Sequence, residues 1–375
     1  MRYPKVILIL SFILALILVS CTKKNDIFIN ESQIRIVTKG KLELNNNYKR
    51  EFAINKATDT EIFLSSPSKI RLKDNRVFIL DSQIDCIYIL NKNGEFINKI
   101  GASGKGPGEF VNLRDFDLSK EFIICLDKSK YAITKFELIN LEKNIKFVWE
   151  KKIPNEIVEN ISPENITFDG NNIFISGFSI NNTNSTTPLC YELNDNLEIT
   201  NKYMIYKNIK GTASFETNVI RSAHILQIKN NIIFCGMIKG NNLLYLYDTK
   251  KDAFEYKVVK NEKVKSSKYK EKNKQASFEL YSLYNIIDMY ISENYIVTSE
   301  NAGGLEREPL KIPNNYYNNI VLYSLKGEYL FSFEDRSIPY CFYGLNCAIE
   351  ELNGGLNLYL TSPEEGLFLK YFIEI

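Results

Sequence analysis

Residues 68–101, SKIRLKDNRVFILDSQIDCIYILNKNGEFINKIG, hold one complete structural unit. Lys69–Leu72 reads as a first strand and Asp74-Asn75 as a turn. Arg76–Asp81 is a strongly apolar second strand, and Asp85–Leu90 a third. Asn91-Lys92-Asn93-Gly94 turns the chain into a fourth, more polar strand, Glu95–Ile100. Runs of Val, Ile, Tyr and Phe bounded by Asn, Asp and Gly are strand signals. The Asn-Gly pair suits a tight hairpin because both residues tolerate positive φ.

Working outward, the unit recurs. Its second strand is repeated at Val77–Leu80, Phe122–Leu126, Ile173–Ser176, Ile232–Cys235, Tyr295–Thr298 and Leu356–Leu360. Its third strand is repeated at Cys86–Leu90, Ala132–Leu138, Leu189–Leu193, Leu243–Tyr247, Ile320–Leu325 and Leu367–Phe372. Four-stranded units at this spacing predict an all-β fold, a six-bladed β-propeller of antiparallel blades. One such sheet cannot bury both faces alone, whereas six set radially cover one another. The sixth unit stops after its third strand, because the chain ends at Ile375. The strand-like Gln33–Leu44 (QIRIVTKGKLEL) has no unit of its own. It is expected to pair with the last unit, so that both termini close the ring and no edge stays exposed.

Following Gly101, the chain reads Gly104-Lys105-Gly106-Pro107-Gly108-Glu109-Phe110. A blade of this pattern running into GKGPGEF resembles the six-bladed β-propeller lipoproteins of Bacteroidetes-type bacteria, whose blades are similar to NHL and TolB-type repeats. The motif likeness covers residues 76–110, and strand order extends it along the chain. Function in that family is largely undefined, so the resemblance implies fold and location more than chemistry. In the loop, the glycines supply unusual backbone angles and Pro107 fixes φ. Phe110 is expected to pack between blades and Glu109 to hydrogen-bond the loop. The functional alternative is an anion nest of backbone N–H groups. The loop lacks the spacing and the Ser or Thr of a phosphate-binding Walker loop.

The N-terminus places the protein. Arg2 and Lys5 precede an apolar run, Val6–Val19, broken only by Ser11, and Leu18-Val19-Ser20-Cys21 follows the lipobox pattern. The run is short for a membrane span and reads as a cleaved export signal. Residues 1–20 are thus expected to be a signal peptide, with Cys21 the acylated first residue of the mature chain. Residues 21–30 form a tether and residues 31–375 one propeller domain. Thr22 is not the Asp that retains lipoproteins at the inner membrane, so an outer-membrane location is expected. Whether the body faces the periplasm or the medium stays open.

Composition narrows the function. Of 47 basic residues, Arg2 and Lys5 leave with the signal, so 45 remain against 45 acidic ones. Neutrality argues against a nucleic-acid partner. No Cys-x-x-Cys spacing marks a metal site. Cys86, Cys125, Cys190 and Cys235 lie in apolar runs, and Cys341 and Cys347 are near enough to bridge in an oxidising compartment. No cofactor is expected. A single histidine, His224, lies on an expected inner strand and is a candidate base or ligand. Asp115, Asp117, Asp288 and Glu350-Glu351 fall on or beside inner strands, and Asp117 and Asp288 are the candidate acid/base carboxylates. Two insertions interrupt the repeat. Lys260–Lys274 carries seven lysines, which reads as a solvated loop or a contact with anionic lipid or polysaccharide. Asn301–Asn319 reads as an irregular loop over one face, with Arg307, Tyr316 and Tyr317 as ligand-contact candidates. The expectation is a monomeric, membrane-anchored binding or scaffolding module for an envelope protein, peptide or glycan. The alternative is a carbohydrate hydrolase or lyase using channel-facing carboxylates.

Overall fold

A computed structural model describes residues 35–39, 48–54, 63–140, 144–180, 187–206, 223–239, 242–251, 253–260, 286–302, 317–333 and 345–374. Two strands come first, β1 (Arg35–Lys39) and β2 (Tyr48–Ile54). Blade one is β3 (Pro67–Lys73), β4 (Arg76–Asp81), β5 (Cys86–Asn91) and β6 (Phe96–Ile100). Blade two is β7 (Leu113–Leu118), β8 (Phe122–Asp127), β9 (Ala132–Asn140) and β10 (Asn144–Lys152). A short helix, α1 (Asn155–Asn160), leads to blade three: β11 (Ile161–Phe168), β12 (Ile173–Ser179), β13 (Thr187–Leu193) and β14 (Ile199–Tyr206). Blade four is β15 (Ala223–Lys229), β16 (Ile232–Lys239), β17 (Asn242–Asp248) and β18 (Ala253–Lys260). Blade five is β19 (Ile286–Ile291), β20 (Tyr295–Ala302), β21 (Tyr317–Ser324) and β22 (Tyr329–Phe333). Blade six is β23 (Asn346–Leu352), β24 (Gly355–Ser362) and β25 (Leu367–Glu374), completed by β2.

The first strands of successive blades touch one another in a closed ring, β3–β7–β11–β15–β19–β23 and back to β3. The fold is therefore the six-bladed propeller expected from the repeat. The cores lie between blades. On β4, Val77 and Ile79 join the cluster with Ala348, Tyr359 and Phe368 of blade six. Phe78 and Leu80 join the cluster with Phe116 and Ile123 of blade two. Alternate residues of one strand thus serve opposite neighbours, which is why the second strands are apolar throughout rather than alternating.

Ring closure differs from expectation. The strand that completes blade six is Tyr48–Ile54, antiparallel to β25, with Tyr48 opposite Ile373 and Ile54 opposite Phe368. Within Gln33–Leu44, residues 35–39 instead add a fifth, parallel strand to the outer edge of blade four, Arg35 opposite Tyr256. The closing strand must lead directly into β3, and Tyr48–Ile54 is the nearer segment. Its polar YKREFAI sequence is what an outermost strand needs, and that polarity hides it from an apolarity search.

The turns refine the hairpin reading. Asp74 and Asn75 both have positive φ (46° and 60°), as do Asn230 and Asn231 (52° and 65°), and each pair makes a two-residue hairpin. At Asn91–Gly94 only Gly94 is left-handed, at φ 85°. The Gly94 N–H donates to Asn91 O (3.0 Å), the Asn91 N–H donates to Glu95 O (2.9 Å), and the pairing slips between Ile89 and Leu90. That is a turn with a glycine bulge rather than a mirror-image two-residue loop.

Candidate functional site

The polar residues of interest come from the inner strands. Five of the six inner strands slip register against their second strands at one place, between Pro67/Lys69, Leu113/Asp115, Pro163/Asn165, Ala223/Ile225 and Ile286/Asp288. Each slip is a β-bulge, a device that re-aims side chains. Lys69, Asp115, Asn165, Ile225 and Asp288 follow the slip at equivalent places. Two residues on stand Arg71, Asp117, Thr167, Gln227 and Tyr290.

These residues form two stacked polar rungs. Lys69 Nζ lies 3.0 Å from Asp115 Oδ1 and 4.0 Å from Asp288 Oδ1. Arg71 Nε lies 3.6 Å from Asp117 Oδ1, and the Arg71 guanidinium sits 5.9 Å from the Tyr290 ring centroid. Lys69, Arg71, Asp115 and Asp288 are 6%, 3%, 2% and 2% exposed, so the charges sit in the interior and neutralise one another.

The carboxylates also fasten blades together. Asp115 Oδ2 accepts the Ile166 N–H (3.0 Å), and Asp117 Oδ2 accepts the Thr167 hydroxyl (2.6 Å) and the Phe168 N–H (2.9 Å). Asp288 Oδ2 accepts the Cys347 N–H (2.9 Å), and Gln227 Oε1 accepts the Ile291 N–H (2.9 Å). Each clasp runs from one inner strand to the next blade's inner strand. Burial pushes the Asp288 carboxyl above the ordinary carboxylate range, against the pull of Lys69 and Arg71. The expected acid/base pair, Asp117 and Asp288, is therefore built into blade-to-blade bonding.

A second set of clasps lies farther out. Asp81 accepts the Ser65 and Ser66 N–H groups (2.6 and 3.0 Å), and Asp127 accepts those of Val111 and Lys130 (2.7 and 2.8 Å). These are the aspartates that end the VFILD and IICLD runs. Asp85 accepts the Leu113 N–H and the Ser103 hydroxyl, tying the middle of blade one to blade two.

The glycine-rich loop after blade one is filled by its own residues. Glu109 Oε2 accepts the Gly106 N–H (2.8 Å), Gly104 donates to Phe110 O (2.8 Å), and Phe110 donates to Ala102 O (2.8 Å). A Cβ on Gly104 would lie 2.0 Å from Glu109 Oε2. The amides of the supposed anion nest thus meet acceptors within the loop, a carboxylate for Gly106 and a backbone carbonyl for Gly104. Gly108, left-handed after Pro107, abuts Phe136 and Phe147. Phe110 is fully buried in the cluster between blades one and two, 6.3 Å from Phe136 between ring centroids.

Two faces follow from the strand order. One carries the turns from first to second and from third to fourth strands, and the other carries the crossovers between blades. On the hairpin face, at the mouth of the axis between blades one, five and six, lies a cleft of about 340 Å³. Tyr290 lines it, as do Lys73, Arg76 and Lys92 from blade one and Glu293, Glu350 and Glu351 from blades five and six. Burial pushes the Tyr290 hydroxyl up to about 12. Lys92 and Glu350 form an ion pair across the cleft, and Glu350 Oε2 also accepts from Asn357 Nδ2 (3.0 Å) and the Tyr359 hydroxyl (3.2 Å). Burial raises the Glu350 carboxyl, but these bonds outweigh it and hold it below its ordinary value.

Other expected residues fare variously. His224 is the extra residue of the β15 bulge, and its side chain lies outside the described residues. Cys21, Arg307 and Tyr316 lie outside them altogether, as do Cys341 and residues 261–274. Tyr317 opens β21 opposite Ala302, so both ends of the expected irregular loop, 301–302 and 317–319, are strand, and 303–316 lie outside the described residues. Cys86, Cys125, Cys190 and Cys347 are buried free thiols. Among the described residues no group of His, Cys, Asp and Glu is placed to hold a metal ion, and no helix is long and apolar enough to cross a membrane. Sequence reasoning missed Lys69 and Arg71. The available signal was Lys-x-Arg on one inner strand beside Asp-x-Asp on the next.

Residues 24–301 match the family DUF5128, described as a 6-bladed beta-propeller. The chain belongs to this family. The match includes Lys69, Arg71, Asp115, Asp117, Asp288 and Tyr290 of the DUF5128 propeller, while the Glu350 and Glu351 side of the cleft lies beyond it. Among solved structures, a Bacteroides fragilis NCTC 9343 protein described as exported is similar at TM-score 0.58 and 14% identity, covering 91% of this chain and 99% of that one. A DUF4221 member from Bacteroides vulgatus is similar at TM-score 0.57 and 12% identity, covering 88% and 99%. At these identities the likeness concerns the fold. No curated protein matches the sequence.

Proposed function

We propose that this chain is an exported, lipid-anchored binding propeller of the bacterial envelope, not a hydrolase. The observation that carries the reading is the commitment of Asp115, Asp117 and Asp288 to clasps between blades. A hydrolytic pair needs carboxylates free to touch substrate and to exchange protons. Among the described residues, the cleft on the hairpin face is open to solvent, a shape suited to recognition.

Export is supported by the Arg2–Cys21 pattern and by the similar Bacteroides fragilis protein, which is described as exported. Anchoring is compatible with the N-terminal route. Because β1 runs parallel to β18, its Arg35 end points toward the hairpin face, at the rim of blade four. A tether from Cys21 would leave there, clear of the ring closure.

Two measurements test the proposal. Intact mass of membrane-extracted protein should show an acylated chain starting at Cys21, and Cys21→Ser should release it from membranes. Pull-downs and glycan arrays should find a partner, with no turnover in polysaccharide digestion. Turnover that disappears in both Asp117→Asn and Asp288→Asn, while both variants stay folded, would overturn it.

A further inference from the structure

The cleft at the hairpin face is electrically divided. Its blade-one side carries Lys73, Arg76 and Lys92. The acid on that side, Asp74, is 73% exposed in its side chain. The opposite side carries Glu293, Glu350 and Glu351 and no basic residue among those lining the cleft. The Lys92–Glu350 ion pair spans the two sides, so opposite charges meet across the gap.

Both sides keep capacity for a further partner. The Lys73 ammonium donates to the Lys120 carbonyl, and its nearest acid is Asp74 at 3.9 Å. Burial pulls Lys73 below the ordinary lysine value against Asp74 and Glu121, and an added anion would oppose that pull. On the far side, Glu351 accepts two bonds of 2.7 Å from Asn294 and one from Ser292, and a carboxylate has about four lone-pair sites, so capacity for one more donor is left. Lys229 stands behind this side, donates to the Ser292 and Glu293 carbonyls and attracts the Glu351 and Glu293 carboxylates from the rear.

A ligand with one sign of charge would be repelled by one side. A neutral ligand would strip water from charged groups on both sides without replacing the bonds lost. A ligand bearing both signs answers both with charge-assisted bonds. The volume, about 340 Å³, is near the lower end for small-ligand sites, and Tyr290 supplies an apolar surface between the charged sides. We propose that this cleft binds a zwitterionic ligand of the short-peptide class. Its carboxylate lies on the Lys73 and Arg76 side and its ammonium on the Glu293 and Glu351 side. The proposal rests on the binding reading above and names the ligand chemistry.

Calorimetric titration of the full chain in detergent, with trialanine, tests this. Trialanine should bind, and N-acetyl-trialanine and trialanine amide should each bind about tenfold or more weakly than it. Lys73→Met should weaken trialanine but not the amide. Glu351→Gln, or the exposed Glu293→Gln, should weaken trialanine but not the N-acetyl form. Absence of trialanine binding, equal binding of the blocked peptides, or tighter binding of maltotriose overturns the proposal. If a pull-down or array partner still binds every one of these variants, the propeller is a binding module that works elsewhere. If nothing binds, both readings fall.

Discussion

Replacing Lys69 with Met removes the only ammonium within 4.0 Å of both Asp115 and Asp288 among the described residues. The methionine keeps the volume, so the change isolates the charge. Removing one partner of a buried ion pair costs about 3–5 kcal/mol, because the other charge stays buried and uncompensated. For a ring of roughly 340 residues, ~2.1 cal/mol/K per residue gives an unfolding entropy of about 0.7 kcal/mol/K. The expected fall in Tm at pH 7 is then about 4–7 °C. The pH dependence has a definite sign. Burial already raises the Asp288 carboxyl in the folded state, and losing Lys69 raises it further. A folded-state carboxyl above its unfolded value, about 3.9, binds protons more readily when folded, so the deficit is fullest above that raised value and shrinks as pH falls toward about 4. Calorimetric melts of wild type and Lys69→Met at pH 7 and pH 4.5 read both effects. A Tm loss under about 1 °C at pH 7, or one equally large at pH 4.5, would refute the view of Lys69 as the axial counter-ion.

Three further outcomes are expected. Asp81→Ala strips the Ser65 and Ser66 amides of their acceptor and should cost about 2–4 kcal/mol, read by denaturant unfolding, with m unchanged. Gly177→Ala should cost about 1–3 kcal/mol by the same measurement, since its Cβ would lie 1.9 Å from Ser162 O at the β11 bulge. The Cys347 thiol, buried and pushed well up by burial, should resist iodoacetamide in the native protein and react after unfolding; alkylation mapped by mass spectrometry checks this.

The strands were legible because apolar runs such as RVFILD and FIICLD are covered on both sides and cannot alternate with polar residues. The closing strand was not, because an outermost strand is half solvated and Tyr48–Ile54 carries charge where Gln33–Leu44 alternates more cleanly. The bulges were not legible either. The extra residues are Ser68, Arg114, Glu164, His224 and Ile287, which share no chemistry, so register is set by the packing of neighbouring blades. The axial aspartates could be placed on inner strands from the repeat alone. Their role as clasps could not, because it depends on amides one blade away, more than fifty residues along the chain at Ile166 and Cys347. The cleft joins Lys92 to Glu350 across 258 positions, beyond any local pattern.

Pairing Tyr48 with Ile373 has a kinetic meaning. Tyr48–Ile54 must wait for residues more than 300 positions along the chain before it finds its partner. Contacts so far apart in sequence form slowly and late. A chain made only as far as blade five therefore carries an unsealed seam. Closure of the ring is thus a last step, a latch that engages only once β25 is available to β2.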